Sequence, residues 1–181
     1  MSVTFVSAAT MGAVAANPPT VNITCPTLVA DDIIIVECMS KNIVEASNEI
    51  ATPTISGGGG TFTEVGTKTE VDDATAADDM RTAMYWKRAV TSDSGATITV
   101  SRAGTDTLGL YGVVSVWRGC VTSGSPFDTA GIVILGDATA GDIIGWSAFN
   151  AVSDYQHVIY SGWKADDSTD PLANFTNGGI T

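Results

Sequence analysis

Residues 31–39 read Asp-Asp-Ile-Ile-Ile-Val-Glu-Cys-Met, an acidic turn followed by a nearly continuous apolar run. A short β-branched run that is bounded by turn residues predicts a strand buried on both faces of a sheet. Residues 108–118 form a second very apolar run, which ends in Trp117-Arg118 and is followed by Gly119. We therefore expect both runs, Ile33–Met39 and Leu108–Trp117, to occupy mid-sheet positions.

Shorter runs in which apolar and polar residues alternate lie before, between and after these two segments. Turns rich in Gly, Pro and Asp separate each run from the next. The further strand candidates are Val3–Ala8, Val21–Cys25, Thr61–Val65, Met80–Val90, Ala96–Arg102, Thr129–Leu135, Asp142–Phe149 and Tyr155–Trp163. We expect residues 69–79 to form a long exposed loop. Because no helical crossovers separate about ten short strands, the pattern predicts an all-β chain, an antiparallel two-sheet β-sandwich that is jelly-roll-like.

The chain length suits one domain that buries its own core. Our predicted organisation is an N-terminal strand and arm over residues 1–20, followed by a single β-sandwich domain over residues 21–181. The small-residue stretch Ser7–Pro19 is compatible with two roles, an extended arm added to a partner's sheet or an ordinary first strand and linker. The first basic residue is Lys41, so we interpret Val3–Ser7 as a strand and not as part of an export signal.

Charge narrows the range of partners. The chain has 20 acidic and 8 basic residues, a net charge of −12. A strongly negative surface repels nucleic acid phosphates and anionic lipid headgroups. We therefore expect no nucleic acid partner and, because no apolar run is long enough to span a bilayer, no membrane partner. Solubility is a more economical reading of this charge than an acidic recognition patch.

The cysteines and the histidine do not form a metal-binding pattern. Cys25, Cys38 and Cys120 are widely spaced, which is typical of small buried thiols in a reducing compartment and not of a disulfide framework. One histidine and three scattered cysteines lack the ligand spacing of a zinc site. Neither a metal nor another cofactor is predicted.

The sequence also contains few residues suited to catalysis. The one histidine, His157, alternates within a predicted strand, and no G-x-S-x-G motif is present. We therefore predict that the chain is not an enzyme and has no catalytic residue. Solvated turn carboxylates are favoured over calcium ligands for the paired acids, because no EF-hand-like loop accompanies them. These pairs are Asp31-Asp32, Asp72-Asp73, Asp78-Asp79 and Asp166-Asp167.

Four basic residues in predicted strands are the candidate partner-binding residues. Lys87, Arg88, Arg102 and Arg118 would make a positive spot on a negative protein if their strands are neighbours. Cross-strand pairing with Asp and Glu is the competing interpretation. Packing in the core or across strands is favoured over sugar stacking for the aromatic residues Trp86, Trp117, Trp146, Trp163, Tyr85, Tyr155 and Tyr160.

The order of these elements resembles a group of β-sandwich proteins encoded by tailed bacteriophages and prophages. The resemblance covers roughly residues 3–130, a span on the scale of one domain. It is carried by Val21–Pro26, Asp31–Met39, Tyr85–Val90, Ser92–Gly95, Ala96–Arg102 and Gly112–Gly119 followed by Pro126. The chain departs from the pattern at Asp31-Asp32, where Gly-Asp is commoner.

The resemblance implies a non-enzymatic structural virion protein: a capsid decoration or cement protein, a head fibre or a tail-associated module. We expect a decoration protein that binds the lattice of the major capsid protein and stabilises the head. It would be made in the host cytoplasm, lie on the capsid surface of the virion and assemble as a homotrimer at capsid three-folds. The alternative is a carbohydrate- or receptor-binding β-sandwich module on a phage tail or a cell surface.

Overall fold

A computed structural model describes residues 3–14, 19–42, 50–66, 69–71, 79–103 and 109–127. These residues form an antiparallel two-sheet sandwich, which confirms the predicted fold class. The strands of the described residues are β1 Thr4–Val14, β2 Thr20–Thr24, β3 Ile33–Asn42, β4 Thr54–Ile55, β5 Thr63–Glu64, β6 Thr69–Val71, β7 Asp79–Arg88, β8 Thr97–Ser101 and β9 Leu110–Arg118. A 3-10 turn, Thr91–Asp93, lies between β7 and β8.

The two sheets differ in size. The larger has the order β1-β9-β3-β7-β5, and β6 pairs with β7 as well. The smaller has the order β2-β8-β4. Along the chain, β2, β4 and β8 each lie between strands of the other sheet, so the backbone crosses repeatedly from one layer to the other. This repeated crossing is the jelly-roll-like feature of the fold.

Strand β3 lies at the centre of the large sheet, between β9 and β7. Every residue from Ile33 to Ser40 is buried, so side chains on both faces of β3 are removed from water. Ile34 stands opposite Val116 of β9 on one side and Lys87 of β7 on the other. The mid-sheet positions predicted for the two most apolar runs are confirmed.

The core lies between the sheets and is built mainly from β-branched side chains. Each such side chain contributes about 1.5–3 kcal/mol when it is fully buried. Tyr85 is also fully buried, and its hydroxyl donates a hydrogen bond to the carbonyl oxygen of Ile50 at 3.1 Å. The largest fully buried side chains are Tyr85, Ile33, Ile34, Ile50, Ile98, Leu110, Val36, Val100, Val114 and Val116.

Three elements differ from the predictions. Strand β1 continues to Val14, well past the predicted end at Ala8, because it pairs with β9 through two register shifts that accommodate irregular backbone. Residues Thr69–Val71, predicted as loop, form β6 because they pair with β7 from Met80 to Thr82. Strand β4, with only two residues, carries no alternation that a sequence pattern could detect.

The predicted strands Thr129–Leu135, Asp142–Phe149 and Tyr155–Trp163 lie outside the described residues, as does His157. None of the described segments contains a helix with the length and hydropathy needed to cross a bilayer.

Candidate functional site

One end of the sandwich combines charge, turns and exposed apolar surface. At this end β3 begins, β7 and β9 finish and β1 starts, because Ile33 pairs with both Arg88 and Trp117, and Thr4 pairs with Arg118. We call it the Arg118 end. The opposite end contains the bridge between Ile50 and Arg102.

A bidentate ion pair ties β3 to β9 at the Arg118 end. Arg118 donates from Nε to Oδ1 of Asp32 at 2.8 Å and from Nη2 to Oδ2 at 2.7 Å. The Asp32 side chain is 1% exposed and that of Arg118 is 48% exposed. Oδ2 of Asp32 also accepts a hydrogen bond from the backbone N–H of Val29 at 2.9 Å. Planar two-point pairing of this kind fixes the orientation of the guanidinium at the surface.

The Arg118 hydrogen bonds hold the pKa of Asp32 below its ordinary value of 3.8. Burial acts in the opposite direction, and the hydrogen bond from Val29 adds to the lowering. Asp32 is therefore an ionised structural group at neutral pH and has no proton to offer for acid catalysis.

Exposed apolar side chains gather at the same end. The large apolar side chains that are exposed among the described residues are Phe5 at 54%, Val29 at 49%, Val90 at 38% and Val121 at 57%. Phe5 lies at the start of β1, and the three valines lie in the segments just before β3, just after β7 and just after β9. We call these four residues the apolar end patch. Single exposed apolar residues are ordinary, and these four lie in segments that meet at the same end of the large sheet.

The aromatic part of this end is ordered by ring packing. Phe5 stacks edge-on against Trp117 with ring centroids 5.4 Å apart and an interplanar angle of 70°. Trp117 is half-buried, and its Nε1 donates a hydrogen bond to the Ser115 hydroxyl at 3.0 Å. Because the indole is held in place, Phe5 offers a rigid apolar face to the solvent.

Arg88 belongs to this end as well. Its Nη2 donates a hydrogen bond to the carbonyl oxygen of Gly124 at 3.2 Å, so it holds the segment that follows β9. Nearby, the Trp86 and Phe127 rings pack edge-on with centroids 6.4 Å apart. Arg88 and Arg118 therefore lie at the same end of the large sheet, on β7 and β9, with β3 between them.

Lys87 and Arg102 do not join these two arginines. Lys87 is 3% exposed and points between the sheets, where its Nζ pairs with Oδ2 of Asp93. Arg102 is also 3% exposed and lies at the opposite end, where its Nη1 donates a hydrogen bond to the Ala103 carbonyl at 3.3 Å. Burial removes both side chains from the surface that a docking partner could reach. Adjacent residues of a strand point to opposite faces, and this separates Lys87 from Arg88.

The cysteines occupy unreactive positions. Burial raises the pKa of the Cys25 thiol to about 11 and that of Cys38 to about 12, in each case with a further rise from a neighbouring carboxylate. Cys120 is half-buried, and burial raises its pKa while the charge of Arg88 lowers it. Elevated pKa values make these thiols weak nucleophiles and weak metal ligands.

Within the described part of the chain, no group of three or more His, Cys, Asp and Glu side chains is placed to hold a metal ion. Of the four predicted acidic pairs, Asp31-Asp32 is fully described, and Asp32 is engaged by Arg118. The pairs Asp72-Asp73 and Asp166-Asp167 lie outside the described residues, together with Trp146, Trp163, Tyr155 and Tyr160.

No family model, no curated protein and no solved structure matches this chain. The function proposed below is therefore based on the fold and on the side chains at the Arg118 end.

Proposed function

We propose that this chain is a non-enzymatic structural virion protein, a capsid decoration or cement protein that binds the major capsid lattice and stabilises the head. The single observation that carries the proposal is the apolar end patch, Phe5, Val29, Val90 and Val121, at one end of the sandwich. A protein that works by attachment needs exposed apolar surface through which to bind, and this patch supports such a role.

The charge distribution supports attachment through this end. With a net charge of −12, most of the surface repels other acidic surfaces. The Arg118 end instead presents apolar side chains around a guanidinium that is fixed by Asp32. Apolar contact supplies affinity in such a surface, and the ordered arginine supplies orientation. The partner in this proposal is the major capsid protein, and the location is the capsid surface of a virion made in the host cytoplasm.

Two measurements test the proposal. Mass spectrometry of purified phage particles whose genome encodes this chain should detect it at a fixed stoichiometry to the major capsid protein. Particles that lack the chain, or turnover of a substrate by the isolated chain, would overturn the proposal.

Binding through the apolar end patch has its own test. Val121→Asp should weaken co-sedimentation with undecorated particles by at least about tenfold, a typical loss for a buried apolar contact. Thr52→Asp adds the same charge at an exposed position near the opposite end and should bind like the wild type. Equal binding of both variants would contradict this role of the patch.

A second candidate function rests on the Phe5–Trp117 pair. An exposed aromatic face next to a fixed arginine is also suited to stacking on a sugar ring, as in a carbohydrate- or receptor-binding module on a phage tail or a cell surface. Glycan-array binding that Phe5→Ala abolishes would favour this candidate, and the absence of array binding would favour the capsid.

A further inference from the structure

Lys87 and Asp93 meet in the interior of the sandwich, away from the apolar end patch. Nζ of Lys87 contacts Oδ2 of Asp93, and the two side chains are 3% and 0% exposed. The backbone N–H of Val90 donates a hydrogen bond to the same oxygen, Oδ2, at 2.8 Å. The other carboxylate oxygen, Oδ1, is buried and has no hydrogen-bond partner among the described residues.

These contacts leave most of the hydrogen-bonding capacity of a buried ion pair unsatisfied. A lysine ammonium has three N–H donors, and a carboxylate has about four lone-pair sites. The described surroundings provide one contact between the two groups and one backbone donor. Buried charges are costly when their remaining donors and acceptors are unsatisfied. An amide formed from the two groups would need fewer hydrogen-bond partners, because it has one N–H and one carbonyl oxygen. The Val90 N–H is placed to donate to that oxygen.

The surroundings also keep water away from the pair. The Gly57–Gly60 segment packs over Asp93 so closely that a Cβ placed on Gly58 would collide with Oδ1. A Cβ placed on Gly60 would lie 3.9 Å from Cε of Lys87, an ordinary contact distance, so the same segment also runs beside the lysine. A nucleophile and an acyl group are therefore held in contact inside an enclosed site.

We propose that Lys87 and Asp93 condense to an intramolecular isopeptide bond that joins β7 to the 3-10 turn. Transfer of a proton from the ammonium to the carboxylate gives a neutral amine and a neutral carboxylic acid. The lone pair of Nζ then attacks Cγ of Asp93 and forms the C–N bond, which gives a tetrahedral intermediate. The bond from Cγ to Oδ1 breaks when this intermediate collapses. Oδ1 leaves as water with the proton that the carboxylate took from the ammonium and a second proton from the attacking nitrogen, and Oδ2 remains as the amide oxygen. No oxidant, reductant or further reactant is needed.

Two features of the site promote this condensation. Holding the reacting groups in contact replaces a bimolecular encounter, and intramolecular reactions reach effective molarities of about 10⁵–10⁸ M. The Val90 N–H points at Oδ2, where negative charge develops when Nζ attacks the carbonyl carbon. A donor so placed stabilises the tetrahedral intermediate.

Intact-mass measurement of the purified full chain, reduced and denatured, tests the inference. We expect a mass lower by one water than the mass of the sequence. The matched variant Lys87→Arg retains the positive charge but lacks the primary amine, and it should show its full sequence mass. This comparison does not require the variant to fold, because the masses are read from denatured chains.

Tryptic digestion locates the bond. Trypsin cuts after Arg81, Arg88 and Arg102 but not after a lysine whose amine is acylated. Residues 82–88 and 89–102 should therefore stay joined after the Arg88–Ala89 peptide bond is cut, and fragmentation should place the link at Lys87 and Asp93. A full-length mass with no loss of water, or separate fragments 82–87 and 89–102, would overturn the proposal.

Discussion

A single carboxylate, that of Asp32, connects the turn that precedes β3 to Arg118 at the end of β9. It accepts two hydrogen bonds from Arg118 and one from the Val29 backbone, and its side chain is almost fully buried. We expect Asp32→Asn to lower the free energy of unfolding by about 1–3 kcal/mol, because buried hydrogen bonds to a charged group are lost. The neighbouring and exposed Asp31→Asn is the matched control and should change stability little.

The same carboxylate makes this stabilisation depend on pH. The pKa of Asp32 is lowered in the folded chain, so its contribution is fully present above the ordinary value of 3.8. The contribution is lost as the pH falls through the lower, folded pKa. Urea denaturation should therefore show a gap between wild type and Asp32→Asn that is constant from pH 5 to pH 7 and closes in strong acid. A gap that widens on acidification would contradict this assignment.

Asp31 carries a backbone constraint. Its φ is +69°, and the N–H of Asp32 closes the turn onto the Val29 carbonyl at 3.3 Å. Left-handed backbone costs most L residues about 1–2 kcal/mol, and glycine adopts it freely. We expect Asp31→Gly to be at least as stable as the wild type and Asp31→Val to be about 1–2 kcal/mol less stable. Equal denaturation midpoints for the two variants would show that the turn is not constrained.

The three thiols report on burial. Because Cys25 and Cys38 are buried with pKa values of about 11 and about 12, neither should react with an aromatic disulfide reagent at pH 8 in the native chain. The half-buried Cys120 should react slowly, and all three should react after denaturation in urea. Rapid reaction of two thiols in the native chain would contradict the burial of Cys25, which follows β2, or of Cys38, which lies in β3.

Tight packing between elements is most evident where the Gly57–Gly60 segment covers the 3-10 turn. A side chain at Gly58 would come within 2.9 Å of Ile55 and 3.2 Å of Cγ of Asp93, both present whether or not Asp93 has condensed with Lys87, whereas one at Gly59 would meet its nearest atom at 3.9 Å. We therefore expect Gly58→Ala to destabilise the fold by about 1–3 kcal/mol and Gly59→Ala to have little effect. Thermal unfolding of the two variants checks this, and similar midpoints would contradict the packing.

Strands differ in how far their sequence predicts them. Strands β3 and β9 are continuous apolar runs between turns, so their type and mid-sheet position follow from the sequence alone. Strand β6 could not be predicted in this way, because Thr69–Val71 becomes a strand only by pairing with β7. Tertiary pairing of this kind overrides local propensity.

The candidate site likewise combines features that the sequence predicts with features that only the folded chain shows. Arg118 and the Ser92–Gly95 turn are visible in the sequence, and alternation along β7 could have shown that Lys87 and Arg88 face opposite sides. The partners Asp32 and Asp93 could not be identified, because each meets its cation only after the strands take their register. The apolar end patch is likewise a product of topology, since its four residues are far apart in sequence.

The whole chain is proposed to act as an assembly unit. A protein that occupies capsid three-folds should itself be a homotrimer. Light scattering coupled to size-exclusion chromatography should give three times the chain mass of 18.6 kDa. A monomer at every concentration tested would contradict assembly before attachment.

The most direct test of attachment through the Arg118 end is cryo-electron microscopy of particles that carry this chain. We expect sandwich-shaped density on the outer surface of the capsid, with Phe5, Val121 and Arg118 turned toward the major capsid protein. Density that contacts the shell through the opposite end, at Ile50 and Arg102, or particles without such density, would contradict this expectation.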